Sequence, residues 1–217
     1  LRPRILGVAG RQGVLQLPGG QSYLPQDYEI EADASSASYF WAAAALTGGR
    51  VTVTNLSLES CQGDIDFLSV LARMGCRIAQ APEGLTVVGG PLSGAQVDMS
   101  AMPDLVPTLA VLAGFARGDT VITGAAHLRH KESDRVAGIA AGLAALGARV
   151  SVVGDTIEID GGRALTGATV ETHDDHRLAM TFAVAGLVAR GETVVRDPGS
   201  ADVSYPGFFG ELERVRA

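Results

Sequence analysis

The sequence predicts an α/β protein made of three copies of one pattern, with three apolar helices buried together at its centre. In each copy an aspartate precedes an apolar helix, a glycine follows the helix, and a β-branched strand comes next. The aspartate and the glycine are 16, 14 and 16 positions apart in the pairs Asp33 and Gly49, Asp104 and Gly118, and Asp175 and Gly191. Such self-similarity indicates a repeat architecture, and a helix that is apolar on all sides must be buried.

A second helix with one polar face follows each strand. The first copy contains helix Ala34–Thr47, strand Val51–Thr54, helix Asp64–Met74, and strands Arg77–Ala79 and Leu85–Val88. The second contains helix Leu105–Arg117, strand Thr120–Thr123, helix Glu132–Leu146, and strands Arg149–Val152 and Thr156–Ile159. The third contains helix His176–Arg190, strand Thr193–Val195 and helix Tyr205–Val215. Residues 1–32 are expected to form strands at Ile5–Val8, Gly13–Leu17 and Tyr28–Glu31, joined by turns.

Composition narrows the function classes. The net charge of −7 argues against nucleic acid as the main partner. The two cysteines, Cys61 and Cys76, provide no disulfide framework, so a cytoplasmic location is expected. No apolar run is long enough to cross a membrane. Because the chain begins at Leu1 rather than at a methionine, we expect it to be a fragment of a longer protein.

The most charged segment is His127–Arg135, which carries seven ionisable side chains in nine residues. If the following helix begins near Glu132, then Lys131 and Arg135 lie at its first turn. Cations at a helix N-terminus oppose the dipole by about 0.3–1 kcal/mol each. Two interpretations remain open: a solvated first turn held by salt bridges, or a site that binds an anion.

The third copy also has cationic side chains at a helix N-terminus, because His176 and Arg177 stand at the start of its apolar helix. Two cationic helix N-termini predict a pocket for a strongly anionic ligand. Asp104 and Glu132 are the candidates for proton transfer in that pocket. Asp104 can equally be an N-cap, as can Asp33 and Asp175.

A metal site is a less favoured alternative for the third copy. Its ligands would be His173, Asp174, Asp175 and His176, but neither a carboxylate-rich cage nor a Cys/His spacing accompanies them. The sequence contains neither a phosphate-binding P-loop nor a dinucleotide motif.

Five motifs occur in the order and spacing of a known family. They are Asp33–Phe40, Gln62–Asp64, Lys131–Arg135, Asp175–Met180 and Ser204–Phe209. Together they closely resemble the C-terminal half of the 5-enolpyruvylshikimate-3-phosphate synthase family, also called 3-phosphoshikimate 1-carboxyvinyltransferase. The resemblance covers the chain from Gly19 onward.

The resemblance implies an inside-out α/β barrel domain of the enolpyruvyl transferase type, built from three βαβαββ repeats. Residues 1–32 are then the tail of the other domain with the crossover strands, and residues 33–217 are the C-terminal domain. Its repeats cover about 33–97, 98–168 and 169–217. The family's N-terminal domain, which supplies the rest of the pocket, is missing, so we expect the chain alone to be inactive. The full enzyme is expected to be a monomer.

The implied reaction moves the carboxyvinyl group of phosphoenolpyruvate onto the 5-hydroxyl of shikimate 3-phosphate, without metal or organic cofactor. By resemblance, Asp104 accepts the hydroxyl proton and Glu132 serves proton transfer at the methylene carbon. Shikimate 3-phosphate is bound by Asp104, His127 and Lys131. Phosphoenolpyruvate is bound by Arg135, His176 and Arg177, at the site where glyphosate acts.

Two positions depart from the family pattern. His127 stands where many relatives carry an asparagine, and Val203 stands where many carry a lysine that reaches phosphoenolpyruvate. An alternative activity is UDP-N-acetylglucosamine 1-carboxyvinyltransferase, which shares the fold and chemistry, although the segment Lys131–Arg135 speaks against it. An alternative of another class is a non-catalytic domain that retains the fold.

Overall fold

The computed structural model describes Gly20, Pro25 and residues 27–216. The chain divides into two compact units, Leu1–Glu31 and Ala32–Ala217, and the architecture below is that of the second unit. The strands predicted at Ile5–Val8 and Gly13–Leu17 lie outside the described residues. The strand predicted at Tyr28–Glu31 is not formed, and this stretch has no regular secondary structure.

Six α-helices and nine strands make up the described part of the second unit. Helices α1 to α6 are Ala34–Thr47, Phe67–Met74, Val106–Phe115, Arg135–Ala145, His176–Gly186 and Phe208–Arg216. Strands β1 to β9 are Arg50–Thr54, Arg77–Ala81, Gly84–Val88, Gln96–Asp98, Asp119–Thr123, Arg149–Val153, Thr156–Asp160, Thr169–Val170 and Val194–Val195.

The sheets follow the repeat. The first copy forms an antiparallel sheet in the order β1-β3-β2. The second forms a four-stranded sheet in the order β4-β5-β7-β6, in which β4 is parallel to β5 and the other pairs are antiparallel. In the third copy β8 pairs in parallel with β9. Only the middle copy shows the complete βαβαββ order among the described residues.

Helices α1, α3 and α5 form the centre of this unit and pack against one another. Nine of the ten residues of α3 are buried, as are ten of the fourteen of α1. Most residues of the three helices are apolar, with alanine common to all of them, so each helix gains most by contact with the other two and with the sheets. The predicted burial of the apolar helices is therefore confirmed.

Helices α4 and α5 approach closely because two glycines leave room for larger side chains. A Cβ added to Gly142 would lie 2.1 Å from Cζ of Phe182, and one added to Gly138 would lie 2.5 Å from Cδ1 of Leu178. The two glycines are four residues apart and therefore lie on one face of α4. This face holds α4 directly against α5.

Helices α2 and α6 begin at Phe67 and Phe208, three residues later than predicted, and two further differences concern the charged residues. Helix α4 begins at Arg135 rather than near Glu132, because Asp134 is its N-cap and accepts a hydrogen bond from the Ala137 N–H at 3.0 Å. Asp104 is not an N-cap but lies in a 3-10 turn, Pro103–Leu105, ahead of α3. Asp33 and Asp175 are N-caps, as predicted. No described helix is both long and apolar enough to cross a membrane.

Candidate active site

The site is assembled at the N-terminal ends of α3, α4 and α5. We call its core the arginine–carboxylate cluster, which consists of Asp104, Lys131, Glu132, Arg135, Asp175 and Arg177. Asp175 is the fixed point of this cluster, because its side chain is fully buried and caps α5. Its Oδ1 accepts from the Arg177 backbone N–H at 2.9 Å, and its Oδ2 accepts from the Ser133 hydroxyl at 2.9 Å.

Arg135, the first residue of α4, contacts three carboxylates. Its Nε donates to Oδ2 of Asp175 at 2.8 Å and its Nη1 donates to Oδ1 of Asp104 at 2.9 Å. Its Nη2 donates to Oε2 of Glu132. The side chain is only 1% exposed, so the charge is almost completely removed from water. A buried arginine is tolerated when its donors are paired in this way.

Asp104 joins the three cations of the cluster. Besides Arg135, it contacts Nη2 of Arg177 at 3.0 Å and Nζ of Lys131 at 3.3 Å. Burial by itself raises the pKa of Asp104, but the attraction of Arg177, Lys131 and Arg135 outweighs it and leaves the pKa below its ordinary value. Asp104 is therefore a carboxylate at neutral pH.

The carboxylate of Asp175 behaves in the same way. Burial raises its pKa, and hydrogen bonds from Arg135 and Ser133, the charge of Arg135 and the Arg177 N–H together lower it below the ordinary value. Its oxygens accept hydrogen bonds from the Arg135 side chain and the Arg177 backbone, and so hold both arginines in place.

The cluster corrects part of the reasoning from sequence. A positive charge at two helix N-termini does not by itself require a bound ligand, because Asp104, Glu132 and Asp175 already neutralise Arg135 and Arg177. The solvated-turn interpretation is also wrong for Arg135, which is buried. Glu132 and Lys131 precede α4 rather than lie in its first turn, because the cap at Asp134 starts the helix later.

The two histidines predicted for the site differ in placement. His176 is 6% exposed at the start of α5, and burial, with help from Arg177, lowers its pKa against the opposing effect of Asp175. His127 is exposed in the 3-10 turn Ala126–His130. Among the described residues it makes no hydrogen bond or ion pair with the cluster. Val203 is 79% exposed.

Sequence reasoning did not select three residues that border the cluster. The Tyr39 hydroxyl lies 3.5 Å from Nη1 of Arg177, and burial raises the pKa of Tyr39 to about 12, so it is a neutral phenol. Burial raises the pKa of Asp64; Arg177 opposes this shift, and Asp104 and Asp33 add to it. Ser133 is the third. All three lie inside the motifs that carry the family resemblance, which was the available signal.

Hollow size alone does not identify this site. One surface hollow of about 720 Å³ lies beside α1, β1 and α6, and another of about 660 Å³ lies on the four-stranded sheet; neither contains a member of the cluster. The hollow on the sheet is lined by Asp119, Val121, Arg149, Val150, Ser151, Glu158, Ile159 and Asp160. Within the described part of the chain, no group of three or more histidine, cysteine or acidic side chains is arranged to hold a metal ion.

Comparison with known proteins identifies the family. A family model described as EPSP synthase (3-phosphoshikimate 1-carboxyvinyltransferase) matches residues 7–212. The chain belongs to the EPSP synthase family. It is 48% identical over 199 residues to the 3-phosphoshikimate 1-carboxyvinyltransferase of Methanocella arvoryzae, a match that covers 91% of this chain and 47% of that protein. The corresponding protein of Nostoc punctiforme is 46% identical over 196 residues, with coverages of 89% and 45%.

The structural comparison agrees with the EPSP synthase assignment. The chain matches an EPSP synthase structure from Acinetobacter baumannii with a TM-score of 0.79 and 30% identity, over 91% of this chain and 49% of that one. The inside-out α/β fold class predicted from the sequence is confirmed. The chain spans about half the length of the relatives that it matches.

Proposed function

We propose that this chain is the C-terminal domain of an enzyme that transfers the carboxyvinyl group of phosphoenolpyruvate to the 5-hydroxyl of shikimate 3-phosphate and releases phosphate. The observation that carries the proposal is the arginine–carboxylate cluster, found in a chain whose relatives bear this enzyme's name. Residues 33–217 form that domain, with repeats at about 33–97, 98–168 and 169–217, and residues 1–32 belong to the other domain. The reaction takes place in the cytoplasm.

The cations of the cluster bind the two anionic substrates. Arg135 and Arg177 hold phosphoenolpyruvate, because a planar guanidinium suits both carboxylate and phosphate. His176, neutral at pH 7, lies in the same pocket. Lys131, whose side chain is 34% exposed, binds the phosphate of shikimate 3-phosphate. His127 borders that phosphate in place of the family's asparagine.

The carboxylates move the protons. Asp104 accepts the proton of the 5-hydroxyl while the hydroxyl oxygen bonds to C2 of phosphoenolpyruvate. Glu132, in its protonated form, delivers a proton to the methylene carbon. The product is a tetrahedral adduct. Loss of phosphate from C2 and of one proton from the new methyl group restores the double bond. Glu132 takes back that proton, and the leaving phosphate takes the proton held by Asp104. The scheme requires neither metal nor cofactor.

The test is phosphate release by the 217-residue chain and by a chimera that joins the N-terminal half of the Methanocella arvoryzae relative to residues 20–217. We expect turnover by the chimera only, because the chain covers about half of its relatives. Replacement of either Asp104 or Glu132 by the amide should lower kcat by about 10²–10⁴-fold. Asp119→Asn, an exposed change on the four-stranded sheet, is the matched control.

Several results would contradict the proposal. Turnover by the chain alone contradicts the need for a second domain. A chimera that uses UDP-N-acetylglucosamine instead of shikimate 3-phosphate would support the alternative transferase. An inactive but folded chimera with both substrates bound would support the non-catalytic alternative.

A further inference from the structure

The burial of Arg135 conflicts with direct binding of an anion. The inference drawn from this rests on the proposed function. The residue is proposed to bind phosphoenolpyruvate, yet its side chain is 1% exposed and Asp175, Asp104 and Glu132 approach its three nitrogens. Three carboxylates face three cations in the cluster, so the formal charges cancel. Because the Arg135 side chain is only 1% exposed, an anion can reach it only if one of the groups that cover it moves away.

The three carboxylates are not equally held. Asp175 is fully buried and accepts hydrogen bonds from Arg135, Ser133 and the Arg177 N–H. The side chain of Asp104 is 31% exposed and is held by three cations. The side chain of Glu132 is 52% exposed, and its one ion pair within the described part of the chain is the contact with Arg135. Glu132 is therefore the partner that leaves Arg135 at the smallest cost.

We propose that Glu132 is a built-in counter-ion that occupies the anion site of Arg135 in the free chain and is displaced by the incoming anion. Its position before α4, outside the helix, leaves it free to move without disturbing the α4–α5 contact. Displacement joins substrate binding to catalysis, because Arg135 holds Glu132 Oε2 until the anion arrives. The proton-transfer group becomes available only when the substrate occupies the site.

The test measures binding of inorganic phosphate and of phosphoenolpyruvate to the 217-residue chain by calorimetry at low ionic strength. Glu132→Gln keeps the size of the side chain and removes the competing charge. We expect it to bind both anions about two- to fivefold more tightly than the natural chain, the range that corresponds to a part-exposed ion pair. Glu83→Gln, at an exposed position on the β2–β3 turn, is the matched control and should leave both affinities unchanged.

A second measurement follows the carboxylates directly. With 13C-labelled aspartate and glutamate, phosphate should shift the side-chain carboxyl signal of Glu132 and leave that of Asp175 unchanged. Equal or weaker anion binding by Glu132→Gln, binding by neither chain, or a shift at Asp175 without one at Glu132 would each overturn the proposal. Tighter phosphate binding by Glu132→Gln together with an inactive chimera would uphold the exchange and count against the proposed reaction.

Discussion

Asp33 and Asp104 precede equivalent central helices in the first and second copies, but their carboxylates have different partners. Asp33 caps α1 and accepts hydrogen bonds from the backbone and hydroxyl groups of Ser35 and Ser36, all within its own helix start. Asp104 makes no such cap. Its carboxylate contacts Arg135 and Arg177, which come from two other helices.

The difference shows how a repeat acquires a site. The 3-10 turn Pro103–Leu105 places Asp104 two residues before the first residue of α3. Its carboxylate can therefore contact side chains from α4 and α5. The cations that meet it come from the starts of α4 and α5. An aspartate at the same place in the pattern is thus structural in one copy and part of the candidate active site in the next.

The largest effect should come from Asp175, the capping residue that also anchors Arg135. Asp175→Ala removes the buried partner of a buried arginine, and we expect it to lower the free energy of unfolding by about 3–5 kcal/mol. Urea unfolding of the 217-residue chain measures this. If the loss is no larger than for Asp33→Ala, the ion pair with Arg135 contributes nothing beyond a cap.

The next effect should come from the contact that brings α4 to α5. Gly142→Ala forces a methyl group against the Phe182 ring and should cost about 1–3 kcal/mol in unfolding free energy. Gly210→Ala, in α6, is the matched control: its added Cβ meets no atom within 4 Å. It should be neutral or stabilise the chain by up to about 1 kcal/mol, the helix propensity difference. Equal effects at the two glycines would contradict the tight α4–α5 contact.

Asp33→Ala should have a smaller and purely structural effect. Loss of the N-cap of α1 should cost about 1 kcal/mol in unfolding free energy. Phosphate affinity, measured by calorimetry, should stay unchanged, whereas Asp104→Asn should change it because Asp104 contacts the arginines directly. A change of affinity in Asp33→Ala would show that the first copy also belongs to the anion site.

The smallest effect is a pH dependence due to His176. Burial and Arg177 lower its pKa, so the folded chain disfavours the protonated ring and the unfolded chain does not. The stability it contributes is complete above its ordinary pKa of 6.5 and is lost as the pH falls below that value. Unfolding free energy measured from pH 7.5 to 5 should fall more in the natural chain than in His176→Gln. Equal slopes would contradict the burial of the ring.

Much of the fold followed from local patterns. Three aspartate-to-glycine segments of similar length predicted α1, α3 and α5. Their burial was predicted too, because a helix without a polar side is stable only in the interior. The start of α4 was predicted near Glu132 instead of at Arg135. By sequence alone, Glu132 is as suitable for the first turn of a helix as Asp134 is for an N-cap. The prediction of a strand at Tyr28–Glu31 was also wrong. It rested on the alternation of apolar and acidic residues, but the apolar Tyr28 and Ile30 are 63% and 79% exposed, so neither side of this stretch is buried.

The sequence by itself determined the three buried helices, the charged residues at their N-terminal ends and the motifs of the family. It could not determine which charges pair, because the distance between Arg135 and Asp175 depends on how closely α4 packs on α5. That approach depends on Gly138 and Gly142 facing Leu178 and Phe182, a match between surfaces 40 residues apart. Only the tertiary structure could therefore decide that the cationic helix starts are neutralised by the chain's own carboxylates.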